Sequence, residues 1–504
     1  MTGEKWVVMA KKADFNAISE KHHIDPVIAR IMVNRDVKEE DMEKYLSPSL
    51  DDLYDPHLMK DMDRAVELMT EAIDSGKKIR VVGDYDVDGI TSTYILKTAI
   101  RRCGGDADHA IPHRIKDGYG INPSMVENAK DAGIDLIITC DNGIAAREAV
   151  SRAKELGLTI IVTDHHAIPF EKNEGTGEVK EILPDADAVV DPHRADCPYP
   201  FPDICGAVVA WKFVFALYEK MGIPKEEAFS FLYLAAFATI EDVMELRDEN
   251  RAIVKEGLKA LRNTDNAGMK ALIARSGLSG MDITVYHVGF VLGPCFNASG
   301  RLDTATLGID LLEETDAAEA AAKADALINL NEERKAMTTL GDEEALRVIE
   351  EKELFPCDVL VVYVPTIHES LAGIVAGHLK EKFYRPTFVI TNDEEGNLKG
   401  SGRSIPSYSM YEKISECKDL LTKFGGHPMA AGLSLKKENL DEFRKKLNEG
   451  AGLKEEDFVR KISIDVPMPM SYPNVEFIRS MAVLEPFGNG NEKPLFAEKD
   501  VQII

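Results

Sequence analysis

The sequence predicts an α/β protein, a doubly wound parallel sheet joined by a long helix to a smaller α/β unit. Three observations carry that reading. Short apolar, β-rich runs alternate with segments of helical period between residues 78 and 190. Asp316–Leu354 is rich in Ala, Glu, Lys and Leu, interrupted by Gly341 alone and by no Pro. A second strand–helix–strand rhythm begins at Asp358.

Taken in order, residues 1–60 carry clustered acids (Glu39, Glu40, Asp41, Glu43) and Pro48, and are expected as an N-terminal extension of short helices. Residues 61–245 hold four strand runs. Lys78-Ile-Arg-Val-Val-Gly is the first, followed by helical spacing over Ile90–Cys103 at Tyr94, Leu96, Ala99 and Ile100. Asp135-Leu-Ile-Ile-Thr-Cys, Thr159-Ile-Ile-Val-Thr and Ala188-Val-Val are the others, with a helix pattern over Ala145–Leu156. Runs that are apolar throughout mark strands covered on both faces, the arrangement of a parallel sheet.

Ala207–Lys220 and Lys225–Ile240 are expected as buried helices. Residues 246–354 form a helical region ending in the long connecting helix, with apolar positions at 327, 330, 337, 340, 346 and 349. The second unit, 355–452, has Val-Leu-Val-Val-Tyr-Val from Val359, a helix over Leu371–Lys382 and a strand over Thr387–Thr391. It also holds two glycine-rich turns, Gly400-Ser-Gly-Arg-Ser and Gly425-Gly-His-Pro. Residues 453–504 read as a β-rich, Pro-rich segment from Phe458 onward.

Composition narrows the class. The 504 residues are 44% hydrophobic and 29% charged, which excludes a disordered chain. A net charge of −27, from 60 Lys+Arg against 87 Asp+Glu, argues at first sight against a nucleic-acid partner. Its distribution qualifies that: residues 374–437 hold ten Lys+Arg against seven Asp+Glu. The seven cysteines are odd in number and scattered, with no C-x-x-C, which disfavours a disulfide framework or a zinc module. Met1–Phe15 is charged throughout and lacks a signal-peptide apolar region. Ala228–Ile240 is the longest strongly apolar stretch, short of the ~20 residues that span a bilayer. The expectation is a cytoplasmic protein with no membrane partner. No G-x-x-x-x-G-K-[ST] or G-x-S-x-G occurs, which disfavours an ATP-driven motor and a serine hydrolase.

The chemistry lies at the strand ends. The first strand runs into Gly83-Asp84-Tyr85-Asp86-Val87-Asp88-Gly89, the second into Asp141-Asn142-Gly143, the third into Asp164-His165-His166 and the fourth into Asp191-Pro192-His193. Ligands of open parallel sheets bind at the carboxyl ends of the strands, so these groups should converge. Converging carboxylates repel unless a cation neutralises them. Oxygen donors with one or two imidazoles suit Mg²⁺ or Mn²⁺, and a pair of such ions clamps an in-line phosphoryl displacement. A lone strand-end Asp is ordinarily a cap or turn former, and a lone His pair is ordinarily surface or core. Four successive strands ending this way point past that explanation. Asp84-x-Asp86-x-Asp88-Gly89 also opens like a calcium loop, but its twelfth position is Ile95 rather than Glu.

Val82-Gly-Asp-Tyr-Asp-Val-Asp-Gly, Thr139-Cys-Asp-Asn-Gly, Thr163-Asp-His-His and Ala238-Thr-Ile-Glu-Asp-Val resemble, in order, the four motifs of the DHH phosphoesterase superfamily. The likeness is greatest to its RecJ branch of single-strand-specific DNA exonucleases. Arg114-Ile-Lys-Asp-Gly-Tyr-Gly, Tyr199-Pro-Phe, Leu292-Gly-Pro-Cys-Phe-Asn-Ala-Ser-Gly-Arg-Leu, Gly400-Ser-Gly-Arg-Ser-Ile and Phe424-Gly-Gly-His-Pro-Met-Ala-Ala-Gly agree with that branch. The resemblance covers roughly residues 40–495. It implies a DHH catalytic domain over 61–245, a DHHA1 substrate-binding domain over 355–452, and an incomplete OB-like segment over 453–504. Fifty residues with two or three strands cannot close a five-stranded barrel, so the chain is expected to be truncated or its fold completed otherwise.

Residue by residue, the resemblance implies Asp86, Asp88, Asp141, His165 and Asp242 as ligands of two Mn²⁺ or Mg²⁺ ions, with Asp141 between them. Asp84 is a further ligand candidate, since Val82 stands where many relatives outside this branch have a metal-binding His. His166 is expected to hold the scissile phosphate and Asp164 to orient the motif. Ser401 and Arg403, with Arg114, resemble a 5′-phosphate pocket. Arg301 and His427 are expected beside it, and Tyr119 against a base. Asp191 and His193 are expected behind the ligands; His368 and Cys295 have no assigned role. The implied partners are single-stranded DNA and, by family, a single-strand-binding protein and a helicase. The implied activity is 5′-to-3′ hydrolysis of single-stranded DNA to mononucleotides in repair and recombination. Relatives acting on short oligoribonucleotides or cyclic dinucleotides, and a silent replication scaffold, are the competing readings.

Overall fold

The computed structural model of the chain describes residues 3–172, 175, 179–393 and 396–502. It divides into two compact units: Ala10–Leu330 with Asp465–Ile504, and Met1–Met9 with Asn331–Ile464.

The first unit is built on five parallel strands, β1 Lys78–Val82, β2 Asp106–Ala110, β3 Leu136–Cys140, β4 Thr159–Thr163 and β5 Ala188–Val190, in the order β2-β1-β3-β4-β5. All four pairings are parallel. This is one of the two common doubly wound orders, with its topological switch point between β1 and β3. Strand β2 is an addition to the four expected. It lies at the sheet edge, and its Asp-Ala-Asp-His-Ala sequence has no apolar run to announce it.

Successive strand residues serve two cores. Ile79, Val81, Leu136, Ile138 and Ile161 face one, together with helices α1 Met62–Asp74 and α2 Val87–Arg102. Val82, Ile137, Ile160 and Val162 face the other, with α3 Pro123–Asp131 and α4 Arg147–Glu155. Each fully buried Val or Ile contributes roughly 1.5–3 kcal/mol, so register is fixed on both faces at once.

Helix α5 Gly206–Lys220 adds to the first core, as does α6 Leu232–Glu241. The single helix expected over Lys225–Ile240 is two elements: Lys225–Phe231 is a 3₁₀ segment. The Trp211 indole N–H takes the Ala228 carbonyl at 2.7 Å, and Leu232 N–H turns instead to Phe229. A side chain has displaced one rung of the α-helical ladder. Helices α7 Gly293–Leu302 and α8 Ala317–Glu351 follow, and the boundary between the units falls inside α8.

The second unit holds β6 Leu360–Tyr363, β7 Thr387–Asn392, β8 Leu398–Arg403, β9 Leu421–His427 and β10 Ala430–Leu435, in the order β9-β10-β8-β7-β6. Within this sheet only β6 and β7 are parallel. Helix α9 Ala372–Phe383 packs on one face with Ala345, Val348 and Ile349 of α8.

The two glycine-rich stretches expected as turns are strands. Gly400 and Gly402 lie on the inner face of β8, where an added Cβ would sit 2.3 Å from Ile390 and 2.6 Å from Phe388. Their glycines admit large neighbours rather than a turn. Gly425 and Gly426 likewise lie within β9, paired to Gly432 and Ala431.

The first 60 residues contain the short helices Phe15–His22, Pro26–Asn34 and Met42–Leu46. They also contain a strand, Glu4–Val8, paired in parallel with Arg460–Ile464. In 465–502, Val466–Pro467 pairs with Phe496–Ala497 and a helix spans Val475–Ser480. Among the described residues no helix is long and apolar enough to cross a membrane.

Candidate metal centre and nucleic-acid-binding residues

The acids and histidines predicted from the sequence meet where β1, β3 and β4 end. Asp86 caps α2, its carboxylate accepting Gly89 N–H at 3.1 Å, and Asp88 enters the first turn of that helix. The Asp88 carboxylate accepts Gly206 N–H at 2.6 Å and Ala207 N–H at 2.7 Å, two of the orphan amides that open α5. Gly206 is required there: a Cβ would lie 2.7 Å from Asp141 Cβ and 2.9 Å from its Cα. Asp141 leaves β3 with a φ of 59°, a left-handed conformation that Asp tolerates. Asp242 follows the last residue of α6.

His165 Nε2 is the point of convergence. It lies 3.1 Å from Asp141 Oδ1, 3.5 Å from Asp88 Oδ2 and 3.7 Å from Asp242 Oδ2. Two groups of possible ligand atoms result, Asp88–His165–Asp242 and Asp141–His165–His166. The expectation from the family placed Asp141 between two ions; in this geometry His165 is common to both groups. Asp84 and Asp86 stand outside them. Asp84 is fully buried, with Oδ1 accepting Gly120 N–H at 3.2 Å and Oδ2 without a hydrogen-bond partner.

The electrostatics are those of a site short of positive charge. Burial, then the charge of Asp86, pushes the Asp88 carboxyl up to about 6. Burial, then Asp88 and Asp86, pushes Asp242 up to about 8. Burial and the neighbouring acids also raise Asp84 and Asp141 well above the usual carboxylate range. Burial and the charge of His166 lower His165 to about 3, so its imidazole is neutral and free to act as a donor atom. Burial opposes charge on His166, but hydrogen bonding to Asp164 and that residue's charge win and raise it to about 9. Neutral imidazole, hard oxygen donors and the unpartnered Asp84 oxygen form a donor set that fits Mn²⁺ or Mg²⁺.

Asp164 organises its turn. One carboxylate oxygen accepts the amides of His165 and His166 and the His166 ring (2.8, 3.2 and 2.8 Å); the other accepts Ile144 N–H at 2.9 Å. Asp191 is buried at the end of β5, accepting His193 N–H at 2.8 Å, and lies outside the two ligand groups.

Tyr119, half exposed, donates its hydroxyl to the Asp141 carbonyl at 2.6 Å and sets its ring edge-on to His166. Arg114 lies 4.5 Å over the Tyr85 ring. Arg301 reaches the same tyrosine electrostatically, and a Cβ on the preceding Gly300 would fall 2.2 Å from the Tyr85 carbonyl oxygen.

In the other unit, Ser401 and Arg403 project from one face of β8. Arg403 and His427 both pair in register with Ala430, on either side of it. A Cβ at Gly373, in the first turn of α9, would lie 2.8 Å from the Arg403 guanidinium. The backbone amides that a glycine-rich turn would offer to a phosphate at Ser401 belong to the sheet, where Ser401 faces both Val389 and Gly432. That stretch presents side chains rather than free backbone amides.

Two residues of the site were not singled out in the sequence. Tyr85 sits between Asp84 and Asp86 and receives both arginines. Glu241, beside Asp242, is pushed up to about 8 by burial and then by Asp86, and accepts Asn297 Nδ2 at 3.0 Å. Their places inside the acidic motifs are the signal that could have found them.

Comparison with known proteins identifies the family. The N-terminal domain of the DHH family matches residues 78–238, the DHHA1 domain 358–452 and the RecJ OB domain 464–504. The single-stranded-DNA-specific exonuclease RecJ of Bacillus subtilis is 39% identical over 97% of this chain, which spans 61% of that relative's length. The RecJ of Salmonella typhimurium is 33% identical over 94% of this chain and 83% of its own length. The crystal structure of RecJ from Thermus thermophilus in complex with Mn²⁺ superposes with a TM-score of 0.84 at 29% identity, covering 98% of this chain and 69% of that one. With three ordered domain matches and a strand-end acid cluster, the chain belongs to the RecJ family of DHH phosphoesterases.

Proposed function

We propose that this chain is a metal-dependent 5′-to-3′ exonuclease that hydrolyses single-stranded DNA to mononucleotides, in DNA repair and recombination. The observation that carries the reading is the convergence of Asp88, Asp141 and Asp242 on His165 Nε2 within 3.1–3.7 Å. A non-catalytic scaffold has no use for acids held so far above their usual range.

Asp86, Asp88, Asp141, His165 and Asp242, with Asp84, would hold two Mn²⁺ or Mg²⁺ ions. When bound, such a pair neutralises the acids, polarises the scissile phosphate and lowers the pKa of water. The chain's own residues do the rest. His166, kept protonated at neutral pH by Asp164, offers a charged N–H to a phosphate oxygen. Tyr119 fixes the Asp141 backbone and presents a half-exposed ring to a base. Arg114 and Arg301 supply positive charge over Tyr85. Ser401, Arg403 and His427 offer a hydroxyl, a guanidinium fork and an imidazole to the 5′-phosphate. A cytoplasmic location, and partners of single-strand-binding and helicase type, belong to the same reading through family membership.

The test is Mn²⁺-dependent digestion of a panel: 5′- and 3′-labelled single-stranded DNA, duplex DNA, a short oligoribonucleotide and a cyclic dinucleotide. Early release of the 5′ label as a mononucleotide from single-stranded DNA is the expected result. Preference for the short RNA or the cyclic dinucleotide, or first release of the 3′ label, would overturn it.

A further inference from the structure

Asp242 stands where α6 stops, and that stop is built on a strained residue. Asp242 N–H closes on Ala238 O at 2.8 Å and Met244 N–H on Thr239 O at 3.1 Å, wrapping the helix end around Val243. Val243 has a φ of 55°. This position after a helix normally takes Gly or Asn, and a β-branched residue there is strained. The Val243 side chain is 63% exposed, so its own packing offsets little of that strain.

The support comes from the C-terminal segment. Asn489 Nδ2 donates to the Val243 carbonyl at 2.6 Å. Leu246 N–H donates to the Asn489 carbonyl at 2.8 Å, and Arg247 Nε to the Gly490 carbonyl at 3.4 Å. Gly488 approaches so closely that a Cβ there would meet Leu246 Cδ1 at 2.6 Å. The loop is itself anchored. Asn491 is fully buried; its amide donates to the carbonyls of Leu484 (2.8 Å) and Pro486 (2.7 Å), and its oxygen accepts the Tyr45 hydroxyl at 2.6 Å.

We propose that Asn489 is a positioning residue for the metal centre: the Gly488-Asn489-Gly490-Asn491 loop clamps the strained Val243 turn and so fixes the Asp242 carboxylate beside His165. The inference rests on the reading of Asp242 as a metal ligand and goes beyond it, because it gives a loop of the C-terminal segment a role in metal binding. Residues that orient a metal ligand typically change affinity or activity 10–100-fold when removed.

The experiment is calorimetric titration of Mn²⁺ into the full chain as wild type, Asn489→Ala, Asn489→Asp and Asp242→Ala. Thermal unfolding establishes folding, and single-stranded DNA hydrolysis is followed against Mn²⁺ concentration. Asn489→Asp keeps the size and the backbone contact to Leu246 while removing the amide donor. Both Asn489 variants are expected to fold, to bind Mn²⁺ about 10-fold more weakly and to need correspondingly more Mn²⁺ for half-maximal rate. The KM for DNA at saturating Mn²⁺ should be unchanged. Adding Val243→Gly to Asn489→Ala should recover affinity, because glycine takes this φ without strain. Unchanged Mn²⁺ affinity in both Asn489 variants, with Asp242→Ala weakened, overturns this inference alone. Unchanged affinity in Asp242→Ala overturns the reading of the ligand beneath it. Failure of both Asn489 variants to fold also overturns the inference, since a general stabilising role would then explain the contact.

Discussion

Removing divalent cations should make the folded chain lose stability as pH rises through neutrality. In the unfolded chain Asp242 titrates at its ordinary value near 3.8, whereas in the fold it is pushed up to about 8. Between those values the folded state binds more protons than the unfolded one, so stability present at low pH is lost as pH approaches 8. His166, raised to about 9, and Glu241, raised to about 8, act in the same direction. His165, lowered to about 3, acts oppositely, but its effect fades above its ordinary value of 6.5. The informative window is therefore from about pH 6.5 to about pH 8. Across it Asp242 alone contributes roughly 2 kcal/mol, at about 1.4 kcal/mol per pH unit. Coupling among these acids makes their contributions less than additive. The assay is urea denaturation of EDTA-treated protein at three pH values in that window, with and without Mn²⁺. The metal-free midpoint should fall across the window, Asp242→Asn should flatten the fall, and Mn²⁺ should remove it. A flat or rising midpoint without metal, or a slope unchanged in Asp242→Asn, would refute the reasoning.

Three further outcomes follow from the same geometry. Gly206→Ala puts a Cβ 2.7–2.9 Å from Asp141 and displaces an amide that holds Asp88. We expect kcat on single-stranded DNA to fall by about 100-fold, and a rate within about threefold of wild type would contradict the packing. Arg251 is fully buried, with its guanidinium on the carbonyls of Tyr45, Val483 and Glu485. Arg251→Met should cost about 3 kcal/mol in urea denaturation through unpaired carbonyls, and a cost below about 0.5 kcal/mol would show that they find other partners. Arg403→Ala should weaken binding of 5′-phosphorylated single strands about 10- to 150-fold relative to 5′-hydroxyl strands, from roughly 1.5–3 kcal/mol for a charge-assisted contact. An unchanged ratio in a filter-binding assay would remove Arg403 from the proposed 5′-phosphate contacts.

The candidate metal site was legible because two independent signals coincide in the sequence. Apolar β-runs announce strands buried on both faces, and the acids and histidines that end them fall at one sheet edge by topology. Strand β2 gave no such signal, since an edge strand with one buried alanine needs no apolar run. The glycine-rich stretches misled for a physical reason. Glycine marks either a turn or a close approach, and at Gly400 and Gly402 the approach of Ile390 and Phe388 decides, which only the packed sheet reveals. The 3₁₀ segment before α6 depends on the Trp211 indole, a long-range partner that periodicity does not encode. The net charge of −27 stands against the proposed nucleic-acid substrate at first sight. The site accounts for part of it, since several of those acids are gathered where cations would neutralise them.

We propose the acid cluster at the β1/β3 switch point as a divalent-cation site that hydrolyses single-stranded DNA. This central claim is tested most directly by following 5′-label release against Mn²⁺ concentration for wild type and Asp141→Ala, with thermal unfolding to show that both are folded. The account predicts saturable, Mn²⁺-dependent release by wild type, none with EDTA, and a loss of at least about 100-fold in Asp141→Ala. Release that persists in EDTA, or that survives Asp141→Ala, would contradict it.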